Sequence, residues 1–169
     1  MFERLNTPEE AFNFQLGAAL KMEHTVLEML DDLIEASQDE KLKKLFQEHR
    51  RETEQHVKNV ERVFETFGWE ADDSPSPIIQ ALEKEGKSSI KKSDESFSDA
   101  IILQSANETE HHEIAVYENL IINAEAMGKD DAVALLRENL EQERKARELV
   151  EQALREVVAV TPKQPVGRV

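Results

Sequence analysis

Two glutamates one helical turn apart, Glu110 and Glu113, are placed where chemistry would need them. Positions three and four apart share a face of a helix. The face Leu103, Ala106, Glu110, Glu113, Tyr117, Leu120, Ala124 is apolar except at the two acids and the tyrosine. Carboxylates aimed at an apolar interior need a cationic partner, a proton or a metal ion. The same anomaly recurs elsewhere. Glu23 interrupts Leu16, Leu20, Leu27, Leu30 and Ile34. His49, Glu52 and His56 fill the middle of a line with Leu42 and Phe46 at one end and Val60, Val63 and Phe67 at the other. Glu143 sits midway along Val133, Leu136, Leu140, Val150, Leu154 and Val157.

Acids at matching depth on four helices, with histidine added, are the donor set of dinuclear metal sites in bundle cores. His49-x-x-Glu52 and Glu110-x-x-Glu113 each span one turn, so each pair can reach one ion. Glu23 and Glu143 add terminal or bridging carboxylates. Oxygen and imidazole donors suit iron or manganese and also accept zinc. Two ions in such sites stand about 3.5–4 Å apart. His56 and His111 are further candidates, His56 also as a group that holds a ligand carboxylate.

Each residue also has a plainer role. Glu23 can pair with Lys21, and Glu143 with Arg147 four residues on. His49 can be a hydrogen-bonded interior histidine. A shift of one residue in helix phase turns Thr53 inward in place of Glu52. Tyr117 reads as a core tyrosine, or as a hydrogen-bond donor to a ligand. Glu108-x-x-His111 has a metal-site spacing, but its face is half polar, which sends Glu108 to solvent and leaves His111 at the edge of the site. His24 and His112 belong to the rim or surface.

Four long helices must position these groups. Thr7-Pro8-Glu9-Glu10 is a helix start, with Thr as N-cap and Pro at the first position, and that helix runs to Ala36. The turn Ser37-Gln38-Asp39 is short enough to force an antiparallel neighbour, from Glu40 to Phe67, stopped by Gly68. Ser74-Pro-Ser-Pro77 forbids continuation. A short helix is expected from Ile78 to Glu85, closed by Gly86, inside a connection long enough to cross the bundle. The third long helix spans Glu95 to Met127 and ends near Gly128. The fourth runs from Asp130 to Val158. The expected architecture is one all-α domain over residues 1–160, two antiparallel hairpins joined by a crossover, with residues 161–169 a flexible tail.

Composition narrows the function. The chain has 169 residues and a net charge of −15, with 36 acidic against 21 basic side chains. That charge repels a phosphate backbone, so no nucleic-acid partner is expected. Cysteine is absent, which removes disulfides, thiolate zinc sites and thiol nucleophiles. No apolar run approaches a membrane span, and no secretory leader is read at the N-terminus, so a cytoplasmic protein without a membrane partner is expected.

The residues also carry a resemblance. The chain is similar to the YciE/YciF-type ferritin-like proteins, a stress-associated group, from Ala19 to Val157. The carriers are Glu23, His49-Arg-Arg-Glu52-Thr53 with His56-Val57, Ala81-Leu-Glu-Lys-Glu-Gly86, Glu110-His-His-Glu-Ile-Ala-Val-Tyr117 and Leu140-Glu-Gln-Glu143. The resemblance implies a ferritin-like four-helix bundle with a short extra helix, a homodimer, and a ferroxidase-like oxidoreductase site for two iron ions. Its ligands would fall on Glu23, His49, Glu52, Glu110, Glu113 and Glu143. Gln142 departs from the pattern, which has a second Glu there, and His112 stands where an aromatic is common. The alternative is a dimeric structural or interaction bundle without redox activity. A hemerythrin-like oxygen carrier fits less well, because five histidines do not readily supply its ligand set.

Overall fold

In the computed structural model, which describes residues 4–160, the chain is helical and contains no strand among the described residues. The elements are α1 (Pro8–Ala36), α2 (Glu40–Thr66), α3 (Pro77–Lys92), a short 3-10 turn (Glu95–Phe97), α4 (Ser98–Ala126) and α5 (Asp130–Val160). The expected tail, residues 161–169, lies outside the described residues.

The helix ends follow from the sequence. The Thr7 hydroxyl accepts from the Glu10 amide while the Glu10 carboxylate accepts from the Thr7 amide, a reciprocal cap worth about 1 kcal/mol. Asp39 caps α2 through the Lys41 amide at 2.7 Å. Gly68 and Gly128 take φ of 71° and 66° just beyond α2 and α4, the left-handed conformation that ends a helix cheaply only at glycine.

Direction is set by contacts along the shaft. The α2 end returns to the α1 start, where Phe12 and Phe67 approach to 5.1 Å and Phe67 stacks on Trp69 at 4.4 Å. The connection then passes Gly17, and α3 climbs alongside α1 until Lys87 meets Asp32 at 2.9 Å. The α4 start lies at the α1–α2 turn, where the Gln38 amide donates to Asp99 at 2.9 Å. α4 descends, and Lys129, just past its end, donates to the Thr66 carbonyl at 3.2 Å. Around the bundle the packed neighbours run α1, α2, α5, α4, with α3 outside on α1 and α4. This is the hairpin, crossover, hairpin expected.

Two expectations are corrected. Gly86 does not close the crossover helix; α3 continues to Lys92, and Gly86 is buried inside it. A Cβ there would lie 3.2 Å from the Ser105 hydroxyl, so the missing side chain is what lets α3 approach α4. Glu95–Phe97 form a 3-10 turn, with α4 beginning at Ser98.

Apolar layers fill both ends of the bundle: Phe12, Leu16, Val60, Phe64, Leu136 and Leu120 below, Leu30, Leu33, Leu42, Phe46, Leu103 and Val150 above. Between them lies a buried polar layer at mid-length. No helix among the described residues is long and apolar enough to cross a membrane.

Candidate metal centre

The polar layer is built by four helices. α1 contributes Glu23, α2 contributes His49 and His56, α4 contributes Glu110 and Glu113, and α5 contributes Glu143. Glu23, His56, Glu113 and Glu143 have no solvent exposure, while His49 and Glu110 retain 5% and 3%. Donor atoms of His49, Glu110, Glu113 and Glu143 lie within 4.8 Å of one another, and so do those of Glu23, His56 and Glu143.

Glu143 belongs to both groupings, one oxygen to each. Its Oε2 is 3.6 Å from His49 Nε2, and its Oε1 is 2.9 Å from His56 Nδ1. His49 Nε2 also stands 3.2 Å from Glu110 Oε1, and His56 Nδ1 3.6 Å from Glu23 Oε2. These approaches are close without being aligned as hydrogen bonds. Both nitrogens of His49, Nδ1 of His56, both oxygens of Glu113 and of Glu143, and one oxygen each of Glu23 and Glu110 lack a hydrogen-bond partner. A buried polar atom left unpaired costs about 1–3 kcal/mol, so a cluster of them is a strong departure from ordinary packing. The donors crowd together without pairing as hydrogen bonds, an arrangement that divalent cations would satisfy.

Electrostatics say the same. Burial pushes the Glu113 carboxyl well above the usual range, and repulsion from Glu143, Glu23 and Glu110 adds to it, opposed by His49. Burial also lifts Glu143, to about 7, against the pull of His56 and His49. Burial alone would lower His56, but Glu143 and Glu23 hold it up at about 10. His49 behaves alike: burial lowers it, and Glu110, Glu52 and Glu143 more than restore it. The layer therefore holds protons wherever no other positive charge is supplied.

A hydrogen-bonded shell supports the His56 side. His56 Nε2 meets Gln142 Oε1 at 2.7 Å, which favours the proton on Nε2 and turns Nδ1 toward Glu23 and Glu143. The Tyr117 hydroxyl donates to Glu23 Oε1 and accepts from Asn139 Nδ2 at 2.9 Å. Asn139 also donates to the His56 carbonyl at 3.2 Å, and its own oxygen accepts from Asn59 at 2.8 Å.

Six of the eight sequence candidates thus stand in the cluster: Glu23, His49, His56, Glu110, Glu113 and Glu143. Glu52 lies outside both groupings; its side chain is 28% exposed, and Thr53 takes the inward position. His111 is exposed, its Nδ1 2.8 Å from the Asn107 carbonyl, and Glu108 is exposed as well. Glu143 does not pair with Arg147, whose guanidinium lies 3.9 Å from Glu148, and Lys21 faces Asp73 rather than Glu23. Sequence reasoning missed Asn59, Asn139 and the role of Gln142. Asn139 was visible as a polar residue one turn before Glu143, and Asn59 as one three residues after His56.

Comparison with known proteins agrees with this architecture. Residues 7–161 match a family described as a domain of unknown function, DUF892. Protein YciF of Escherichia coli K12 is 28% identical over 142 residues, 83% of this chain and 86% of that protein. The crystal structure of the E. coli stress protein YciF superposes with a TM-score of 0.87 at 26% identity, covering 92% of this chain and 99% of that one. YcfI of Rhodopseudomonas palustris, proposed to be a structural protein, gives 0.86 at 29% identity over 89% and 98% of the two chains. A two-domain Anabaena variabilis protein with a ferritin-like domain gives 0.65 at 21% identity, covering 97% of this chain and 41% of that one. The fold is an all-α ferritin-like bundle.

Proposed function

The chain belongs to the DUF892 family, and from that premise we propose that it is a dinuclear metal-carboxylate protein that binds Fe(II) and oxidises it with O2 or peroxide in a stress response. The observation that carries this reading is Glu143, whose two oxygens face two different histidine–carboxylate groupings. One group would comprise His49, Glu110, Glu113 and Glu143; the other Glu23, His56 and Glu143. Manganese or zinc would fit the same donors. Bound iron supplies the one-electron redox change that no side chain here provides.

The chain's own residues supply the rest. Four carboxylates and two imidazoles balance two divalent ions without further counter-charge. Occupation displaces the protons held by Glu113, Glu143, His49 and His56, so binding tightens as pH rises. Tyr117 and Gln142 orient Glu23 and His56. The apolar layers on either side exclude water.

The test is anaerobic Fe(II) titration followed by O2 exposure, on the wild type and on the Glu23→Ala, Glu110→Ala double variant. Two Fe(II) per chain and rapid oxidation, both lost in the variant, are expected. Unchanged stoichiometry and rate in the variant would refute the assignment. A second reading is a homodimeric structural or interaction bundle without redox activity; the likeness to YcfI, proposed to be a structural protein, supports its structural part alone. Metal analysis of freshly purified protein separates the two, and sedimentation tests the second copy. A cytoplasmic setting fits either reading.

A further inference from the structure

The polar layer is not sealed equally on all sides. Side-chain exposure falls along one line: 28% at Glu52, 6% at His49, 4% at Glu110, and zero at Glu143, Glu23 and His56, with Glu113 fully buried as well. A small cavity of about 30 Å³ opens at the head of that line, between α2 and α5, bordered by Glu48, Glu52, His49, Lys145, Ala146 and Leu149.

Glu52 spans it. One oxygen lies 3.6 Å from Lys145 Nζ, whose side chain is 68% exposed. The other lies 3.6 Å from His49 Nδ1, a buried nitrogen with no hydrogen-bond partner. The opposite edge of the same ring, Nε2, faces Glu110 and Glu143. A single carboxylate therefore connects solvent to the ring that borders the cluster, and an exposed surface cation sits beside it.

We propose that Glu52 and Lys145 form the entrance by which a divalent cation reaches the centre, Glu52 as the first carboxylate to meet the ion and Lys145 as an electrostatic latch. The inference rests on the two-ion reading above. It makes the His49 grouping the first to load and the first to exchange, and the His56 grouping reachable only through it. It also gives Glu52 a role outside the ligand set.

The probe is Co(II), mixed anaerobically with metal-free protein and followed by its visible absorbance in stopped flow. Lys145→Glu is compared with Lys91→Glu, an equal charge change at an exposed position on α3, across the bundle. At low salt, Lys145→Glu should speed uptake on the order of fivefold, with the gain fading near 1 M salt, because a double charge change close to a divalent ion is felt within a Debye length. Glu52→Gln should slow uptake by a similar factor while the amount bound at equilibrium stays that of the wild type. Equal rates for the two lysine variants, or a reduced amount bound by Glu52→Gln, would overturn the entrance. Failure of the wild type to take up Co(II) would instead sink the two-ion reading itself, and the entrance with it.

Discussion

Glu113 is a fully buried acid crowded by other carboxylates, and replacing it with leucine should stabilise the metal-free fold. Both of its oxygens are buried and unpartnered. Burial and three neighbouring carboxylates all oppose its charge, against the pull of His49. Each unpaired buried oxygen costs about 1–3 kcal/mol, so two would give about 2–6; because both belong to one carboxyl group, the lower part of that range, about 3 kcal/mol, is the expected relief. Leucine is close to glutamate in volume, and its imperfect fit should return about 1 kcal/mol of that gain. Three carboxylates then face two imidazoles, closer to balance than four. The net expectation is about 2 kcal/mol, or a rise of roughly 4–8 °C in Tm for a domain of this size. The assay is calorimetry in chelator at pH 7, repeated with saturating Mn(II). Wild type should gain about 2.7 kcal/mol at a hundredfold excess over Kd, and the variant should gain little, so the order of stability inverts when metal is added. A metal-free Glu113→Leu chain that melts below wild type would refute the claim that this carboxylate is kept for ligation rather than for the fold. So would a variant that Mn(II) stabilises as much as it does the wild type.

Three further outcomes follow from the geometry. In the folded chain His56 keeps its proton to about pH 10 and Glu143 to about 7. Both lie above ordinary unfolded values of about 6.5 and 4.3, so the folded state binds the extra protons. Stability from Glu143 is lost as pH rises from about 4 to 7, and that from His56 between about 6.5 and 10. Denaturant midpoints in chelator should fall steadily from pH 5.5 to 9.5, and a rising midpoint would contradict the assignment. Tyr117→Phe removes the donor to Glu23 and an acceptor for Asn139, and should cost about 2 kcal/mol in urea unfolding; an unchanged midpoint would show that the bond contributes nothing. Gly17→Ala places a Cβ 2.5 Å from the Ser74 hydroxyl and 2.7 Å from the Asp72 carbonyl. Displacing that backbone should outweigh the roughly 1 kcal/mol that alanine gains inside a helix, for a net loss of about 1–2 kcal/mol; a higher Tm would contradict the close approach of the crossover to α1.

The sequence by itself determined the four long helices, the Thr7 cap, the stops at Gly68 and Gly128, and four acids of the polar layer. Local rules suffice for these. A capping box closes within three residues, a left-handed stop needs one glycine, and a lone acid on an apolar stripe is visible at three-and-four spacing. Glu23, Glu110, Glu113 and Glu143 were legible on that ground. On α2 the rule failed, because Arg50, Arg51, Glu52, Glu54 and Gln55 surround the stripe with polar residues. An error of one residue rotates the face by about 100°, enough to exchange Glu52 for Thr53. Only the tertiary structure decided that His56 meets Glu23 and Glu143, that Glu143 offers one oxygen to each histidine, and that Tyr117 holds Glu23 from 94 positions away. Those facts depend on how four helices are rotated and staggered against one another. That arrangement comes from the sum of all their packing contacts and is written in no single stretch of chain.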